Sequence, residues 1–206
     1  MIDLDRFEQN KPLVTTALNN INRQLSHLIG APVALILQPT IDEALLTRML
    51  HLEEQIFRIE DNIYSKEDIL ECLAEEDSLL LLLTIDNKVE GYVFGYDEDI
   101  SKPTVKGTEY FLDSAVVSLA YEQKGIGSMV SGVVLLMLYL LNYREVGLLT
   151  EERDKTGREL VRFYEKMGFK LVEKTEQAGC AMRITLNEQI FNEICNRLGI
   201  TDIITK

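Results

Sequence analysis

Two short segments carry residue types and spacings that chemistry could use. The first is Glu122-Gln123-Lys124-Gly125-Ile126-Gly127-Ser128. Two glycines let a backbone turn tightly and let a ligand come close. Where such a turn opens a helix, the N–H groups of the first helical turn lack intrahelical partners and point outward at an anion. The segment could therefore cradle a pyrophosphate, although an ordinary tight turn accounts for the same residues. A dinucleotide fingerprint would need Gly or Ala where Val130 stands, and no Gly-Lys-Ser/Thr follows to make a nucleotide P-loop. The second segment is Phe163-Tyr164-Glu165-Lys166-Met167-Gly168-Phe169, which by itself reads as core aromatics and a glycine that ends a helix. His27 and His51 fall on amphipathic stretches and read as packing or surface residues. Cys72, Cys180 and Cys195 make neither a disulfide framework nor a ligand pair, and with no HxxxH spacing no metal is expected.

The elements that must position these segments follow from periodicity and caps. Leu13, Leu18, Ile21, Leu25 and Leu28 predict an amphipathic helix ended by Gly30. Residues 33–38, bounded by Pro32 and Pro39, read as a strand. Thr40 or Asp42 could cap a helix running to about Phe57, and Ser65 with Asp68 resembles a capping box for a second. Two apolar runs flank Asp86-Asn87-Lys88 as a hairpin, and 110–118 is a further strand. The rest predicts a helix over 127–142, a strand over 145–150, a helix from Thr156 to Met167 stopped by Gly168, strands over 169–174 and 180–186, and a final helix capped by Asn187. This order is a mixed α/β layer fold, a central sheet covered by helices.

The two segments together, in this order and with Gly127 lying 37 positions before Tyr164, resemble the GNAT superfamily of N-acetyltransferases. The resemblance spans roughly residues 33–186 and is strongest from Asp113 to Phe169. It implies a GNAT-like mixed central sheet flanked by helices, here with an extra N-terminal helix (1–30) before an acetyltransferase domain (31–206) and a C-terminal helix. The family's turn, Gln/Arg-x-x-Gly-x-Gly/Ala, binds the pyrophosphate of acetyl-CoA through backbone amides. That role falls on Glu122, Gln123, Lys124, Gly125, Ile126, Gly127 and Ser128, with Glu122 in place of Gln or Arg and Leu119 where proline is frequent. Its following helix ends in aromatic-Tyr-x-x-x-Gly-Phe, matched by Phe163-Tyr164 and Gly168-Phe169, while Gly157 and Leu160 depart from the usual Asn and Ala.

By the same resemblance the reaction is direct attack of an amine on the acetyl thioester. Tyr164 protonates the departing thiolate, and a backbone N–H among Ala115, Val116 and Val117 stabilises the oxyanion. The candidates for the base are Glu151 and Glu152, after the strand that follows the long helix, and Asp113, on the strand before the turn. The same residues would equally serve a GNAT-like module that binds CoA for regulation without turnover, and Glu122, Gly157 and Leu160 keep that alternative open.

Composition bounds the partners. The 206 residues hold 34 acidic and 21 basic side chains, a net charge of −13, with 46% hydrophobic residues, ample for one core. Such acidity opposes binding to nucleic acid and to anionic membranes. The excess lies wholly in residues 1–100, with 20 acidic and 7 basic side chains, against 14 of each in 101–206. An acidic N-terminal half favours a cationic acceptor, either a small polyamine-like molecule or a protein amine. The longest apolar run, 129–141, is too short to span a bilayer, and the N-terminal residues do not read as a secretory signal, so a cytoplasmic location is expected. The N-terminal helix could pack on the sheet, cover the acceptor cleft or mediate a homodimer.

Overall fold

The computed structural model describes residues 4–57, 64–75, 77–98, 101, 103–121, 124–175 and 179–200. Among these residues six α-helices and seven strands follow one another as α1 (Leu4–Ile29), β1 (Val33–Leu37), α2 (Glu43–Ile56), α3 (Lys66–Ala74), β2 (Leu79–Ile85), β3 (Lys88–Asp97), β4 (Tyr110–Val117), α4 (Ile126–Leu140), β5 (Glu145–Thr150), α5 (Leu160–Glu165), β6 (Lys170–Thr175), β7 (Gly179–Thr185) and α6 (Glu188–Leu198). This is the predicted order, and the local signals explain it. Asp42 accepts from the Leu45 amide, Ser65 and Asp68 close a capping box, and Asn187 accepts from the Ile190 amide. At the β2–β3 hairpin Asp86 and Asn87 both take positive φ, 49° and 61°, the left-handed pair that suits the twist of a tight hairpin.

One helix departs from expectation. Thr156 to Glu159 are not helical, because the buried Asp154 carboxylate gathers that stretch into a loop. It accepts the amides of Thr156 and Arg158, the Thr156 hydroxyl and the Arg158 guanidinium, and α5 begins only at Leu160. An aspartate satisfied this fully competes with helical hydrogen bonding for the same amides.

The sheet order is β1-β2-β3-β4-β5-β7-β6, antiparallel throughout except for the central β4–β5 pair. One face is covered by α1, α4 and α6. Ile21, Leu25, Val134, Leu138 and Leu198 are fully buried there, so α1 shares the core of the sheet. The other face packs under α2 and α3, where Met49, Leu52, Ile69, Tyr92 and Phe94 form a second core. Truncating one of these buried leucines to alanine costs about 2–5 kcal/mol, a large part of the stability of a domain.

Two features of β4 open the sheet at its centre. Its register with β3 shifts, since Phe94 pairs with Ser114 but Gly95 with Leu112, which leaves Asp113 as the extra residue of a β-bulge. Its pairing with β5 covers only Tyr110 to Leu112 against Val146 to Leu148. Beyond that point β4 stays with β3 and β5 stays with β7, so the sheet parts as a wedge at the carboxyl ends of its two parallel strands. Ligands of α/β sheets bind in such crevices.

Candidate active site

Three elements converge on the wedge. The chain leaves β4, makes a short 3-10 turn at Leu119–Tyr121 and enters α4 through Gly125, whose φ of 74° is the left-handed conformation that glycine adopts at least cost. Among the described residues no side chain caps α4, so the amides of its first turn face outward with the positive end of the helix dipole behind them. Opposite stands α5 with Phe163 and Tyr164. Between them lies a pocket of about 300 Å³ whose lining includes Ala115, Val117, Gly125, Ile126, Gly127, Ser128 and Tyr164. The structure therefore brings together the glycine turn, the open edge of β4 and the tyrosine.

The hydrogen-bond alternation of β4 sorts its amides. The Ser118 N–H donates to Glu90 O on β3, and directions alternate along an antiparallel strand, so the Val116 amide also faces β3. Those of Ala115 and Val117 face the wedge, where β5 has already diverged. Val116, expected to share the oxyanion role, is instead committed to the β3 ladder, and its side chain is buried in the core under α2. Lys124 is exposed beside the turn, its ammonium 5.8 Å from the centre of the Tyr121 ring. Glu122 and Gln123 lie outside the described residues.

A second chamber, about 30 Å³, shares Ile56, Ala115, Leu160 and Tyr164 with the pocket and is otherwise walled by groups that include Asp113, Leu148, Thr150, Met167 and Phe169. Tyr164 stands at the junction, its ring meeting those of Phe163 and Phe169 edge to face. Burial pushes its phenol up to about 12, only partly offset by the nearby Arg158, so the proton is retained across the neutral range.

The carboxylates separate clearly. Glu152 is exposed and ion-paired with Lys174, a partner that holds its carboxyl below the usual range, and it lines neither cavity. Glu151 is buried yet also lies outside both linings. The reason is the loop drawn in by Asp154, which starts directly after β5 and carries both glutamates off the wedge. Asp113 reaches the chamber wall because the bulge interrupts the pairing of β4 there, and burial raises its carboxyl above the usual range. His27 and His51 are exposed on α1 and α2.

Two residues at or beside the site were not singled out from the sequence. Arg158 lines the pocket, fixed by Asp154, whose carboxyl burial would raise but the bonds from Thr156 and Arg158 hold low. Glu53, fully buried on α2, is another. Its signal was present, for it falls with Met49, Leu52 and Ile56 on the apolar face of an amphipathic helix, where a carboxylate needs a reason. Among the described residues no cluster of His, Cys, Asp or Glu could hold a metal ion, and no helix is long and apolar enough to cross a membrane.

The match that decides the family covers residues 46–169, more than half of the chain, with the model of the acetyltransferase (GNAT) family. The chain belongs to that family. Solved acetyltransferase structures share its architecture. The PaiA N-acetyltransferase of Thermoplasma acidophilum in complex with coenzyme A aligns with a TM-score of 0.56 at 18% identity, over 74% of this chain and 99% of that one. A GNAT family acetyltransferase from Elizabethkingia anophelis with acetyl-CoA bound aligns at 0.53 and 18%, over 75% and 98%. The ribosomal-protein-S18-alanine N-acetyltransferase of Escherichia coli aligns at 0.54 and 15%, over 75% and 97%. At these identities the likeness carries the GNAT fold and nothing finer. A search of curated protein sequences gave no match.

Proposed function

We propose that this GNAT protein is an N-acetyltransferase that passes the acetyl group of acetyl-CoA to a primary amine by direct attack. The observation that carries the reading is the convergence of outward amides at Gly125 to Ser128, two wedge-facing amides on β4 and a proton-bearing Tyr164 around one pocket. The pyrophosphate of CoA would sit on the α4 N-terminus with Arg158 and Lys124 beside it, in a fold whose solved relatives include complexes with the coenzyme. The thioester would then reach the junction beside Tyr164, with its acyl group in the small chamber.

In this arrangement Asp113 takes a proton from the incoming ammonium. The amine nitrogen bonds to the thioester carbon, and the Ala115 or Val117 N–H donates to the oxyanion. The C–S bond breaks, Tyr164 gives its proton to the leaving sulfur, and the second proton shed by the attacking nitrogen as the amide forms restores the phenol through solvent, while Asp113 releases its own to water. Asp113 suits the base because its raised proton affinity brings it nearer to neutrality than an exposed carboxylate. The acceptor enters from the α2–α3 side, where Ile56 and Phe57 line the chamber and Glu43, Glu54, Glu67, Glu71 and Glu75 make the helix surfaces acidic, which favours a cationic amine.

The test is CoA release from acetyl-CoA over a panel of amines at two salt concentrations. Turnover preferring polycationic amines and weakening with salt is expected. Acetyl-CoA binding without release in any mixture would replace the enzyme reading with a CoA-binding module.

A further inference from the structure

On the α2–α3 side of the sheet two carboxylates are buried close together, an arrangement that a core built for stability alone avoids. Glu53 accepts from the Tyr92 hydroxyl at 2.6 Å, the Ser114 hydroxyl at 2.9 Å and the Tyr64 backbone N–H at 3.0 Å. Asp113 accepts from the Tyr64 phenol on Oδ1 and from Cys72 Sγ at 3.4 Å on Oδ2. Tyr64 thus touches both, its main chain on Glu53 and its side chain on Asp113. Its ring also meets Phe94 edge to face at 5.9 Å, which fixes its plane. A carboxylate on a bulge lacks the regular strand pairing that fixes its neighbours, so the bonds to its oxygens set where it points.

We propose that Tyr64 is the positioning residue of this acetyltransferase: anchored through its backbone to Glu53, it holds the Asp113 carboxylate at the chamber wall in reach of the acceptor amine. The inference rests on Asp113 being the base. Tyr64 itself relays no proton, because burial and the adjacent Asp113 charge hold its phenol far above the neutral range. The groups that face Asp113 are Tyr64 just before α3, Cys72 within it, Tyr96 on β3, Glu98 just after β3, and Glu53 from α2. Burial raises the proton affinity of Asp113, the bonds from Tyr64, Cys72 and Tyr96 lower it and Glu98 adds to it by repulsion, whereas between the two buried carboxylates it is the Asp113 charge that raises Glu53.

Tyr64 therefore acts on the base directly, and Glu53 acts on it through Tyr64. In the full chain, kcat/KM for acetyl transfer to one amine is measured against pH for the wild type, Tyr64→Phe, Glu53→Gln and Asp113→Asn. Loss of the phenol bond should move the acidic limb up by about one pH unit and lower the plateau about tenfold. Glu53→Gln weakens the anchor on the Tyr64 main chain and should move the limb the same way by less, while the affinity for acetyl-CoA, measured by calorimetry, stays within about twofold for both. A merely structural role would lower activity without moving the limb. If Asp113→Asn loses activity by about a hundredfold or more but neither variant moves the limb, the positioning role is overturned and the base stands. If Asp113→Asn retains near wild-type kcat/KM, the base assignment fails and the inference falls with it. Should Tyr64→Phe fail to fold, the upward shift in Glu53→Gln decides.

Discussion

Replacing Tyr164 by phenylalanine removes one oxygen and leaves both ring contacts, with Phe163 and Phe169, in place. The cost to the fold should be under about 1 kcal/mol, which for a chain of this size moves the melting temperature by no more than about 4 °C. Acetyl-CoA affinity should also be preserved, since the proposed binding rests on backbone amides across the pocket from the phenol. What is lost is the proton for the departing thiolate. General acid catalysis is worth about 10²–10⁴ in rate, or about 2.7–5.4 kcal/mol of barrier at 1.36 kcal/mol per decade. The loss should fall on kcat, because the proton moves only as the C–S bond breaks. The pH profile adds a second check. With the phenol pushed up to about 12, Tyr164 keeps its proton through the neutral and mildly alkaline range, so the wild type should show no alkaline loss of kcat from this group below about pH 10. The assay is CoA release followed by a thiol reagent under saturating amine, with calorimetry for the cofactor. A kcat within about threefold of wild type would remove Tyr164 as the acid, since that lies well below the least that general acid catalysis contributes.

Further outcomes rest on the same geometry. Gly125→Ala should weaken acetyl-CoA binding measurably and cost about 1 kcal/mol of stability in urea unfolding, because a Cβ there meets no neighbour but must sit at φ 74°. Glu152→Gln should leave kcat unchanged, since that carboxylate is exposed and held by Lys174 outside both cavities; a hundredfold loss would restore it as the base. Glu53 is buried with its carboxyl raised above 4.5, so the native state binds more protons than the unfolded chain between that value and the raised one, and wild-type stability falls as pH rises through this window. The stability of Glu53→Gln relative to wild type should therefore increase with pH there, and a difference constant with pH would refute the buried charge. The chamber of about 30 Å³ has room for about two water-sized groups, so butyryl-CoA should turn over at least about tenfold more slowly than acetyl-CoA; equal rates would show that the acyl group lies elsewhere.

The sequence by itself determined the order of elements and the parts of the site that are written locally. Caps at Asp42, Ser65 and Asn187, the Asp86-Asn87 turn and the apolar periodicities are contacts between near neighbours in the chain, so they can be read one segment at a time. The glycine turn and Tyr164 were visible for the same reason, each lying in a short motif whose geometry is set by its own backbone. The proposed base was not legible in that way. Glu151, Glu152 and Asp113 are equivalent as residue types near strand ends, and only the tertiary structure separates them. A register shift between β3 and β4 swings Asp113 to the chamber wall, while the Asp154 loop carries the two glutamates away. The amides of β4 divide the same way, because which of them face the wedge depends on where β5 departs, and strand pairing is a relation between segments far apart in sequence. The link from Glu53 through Tyr64 to Asp113 joins three elements across 60 residues, and no local pattern records it, since the cost of burying a carboxylate is settled by partners that only the fold brings within reach.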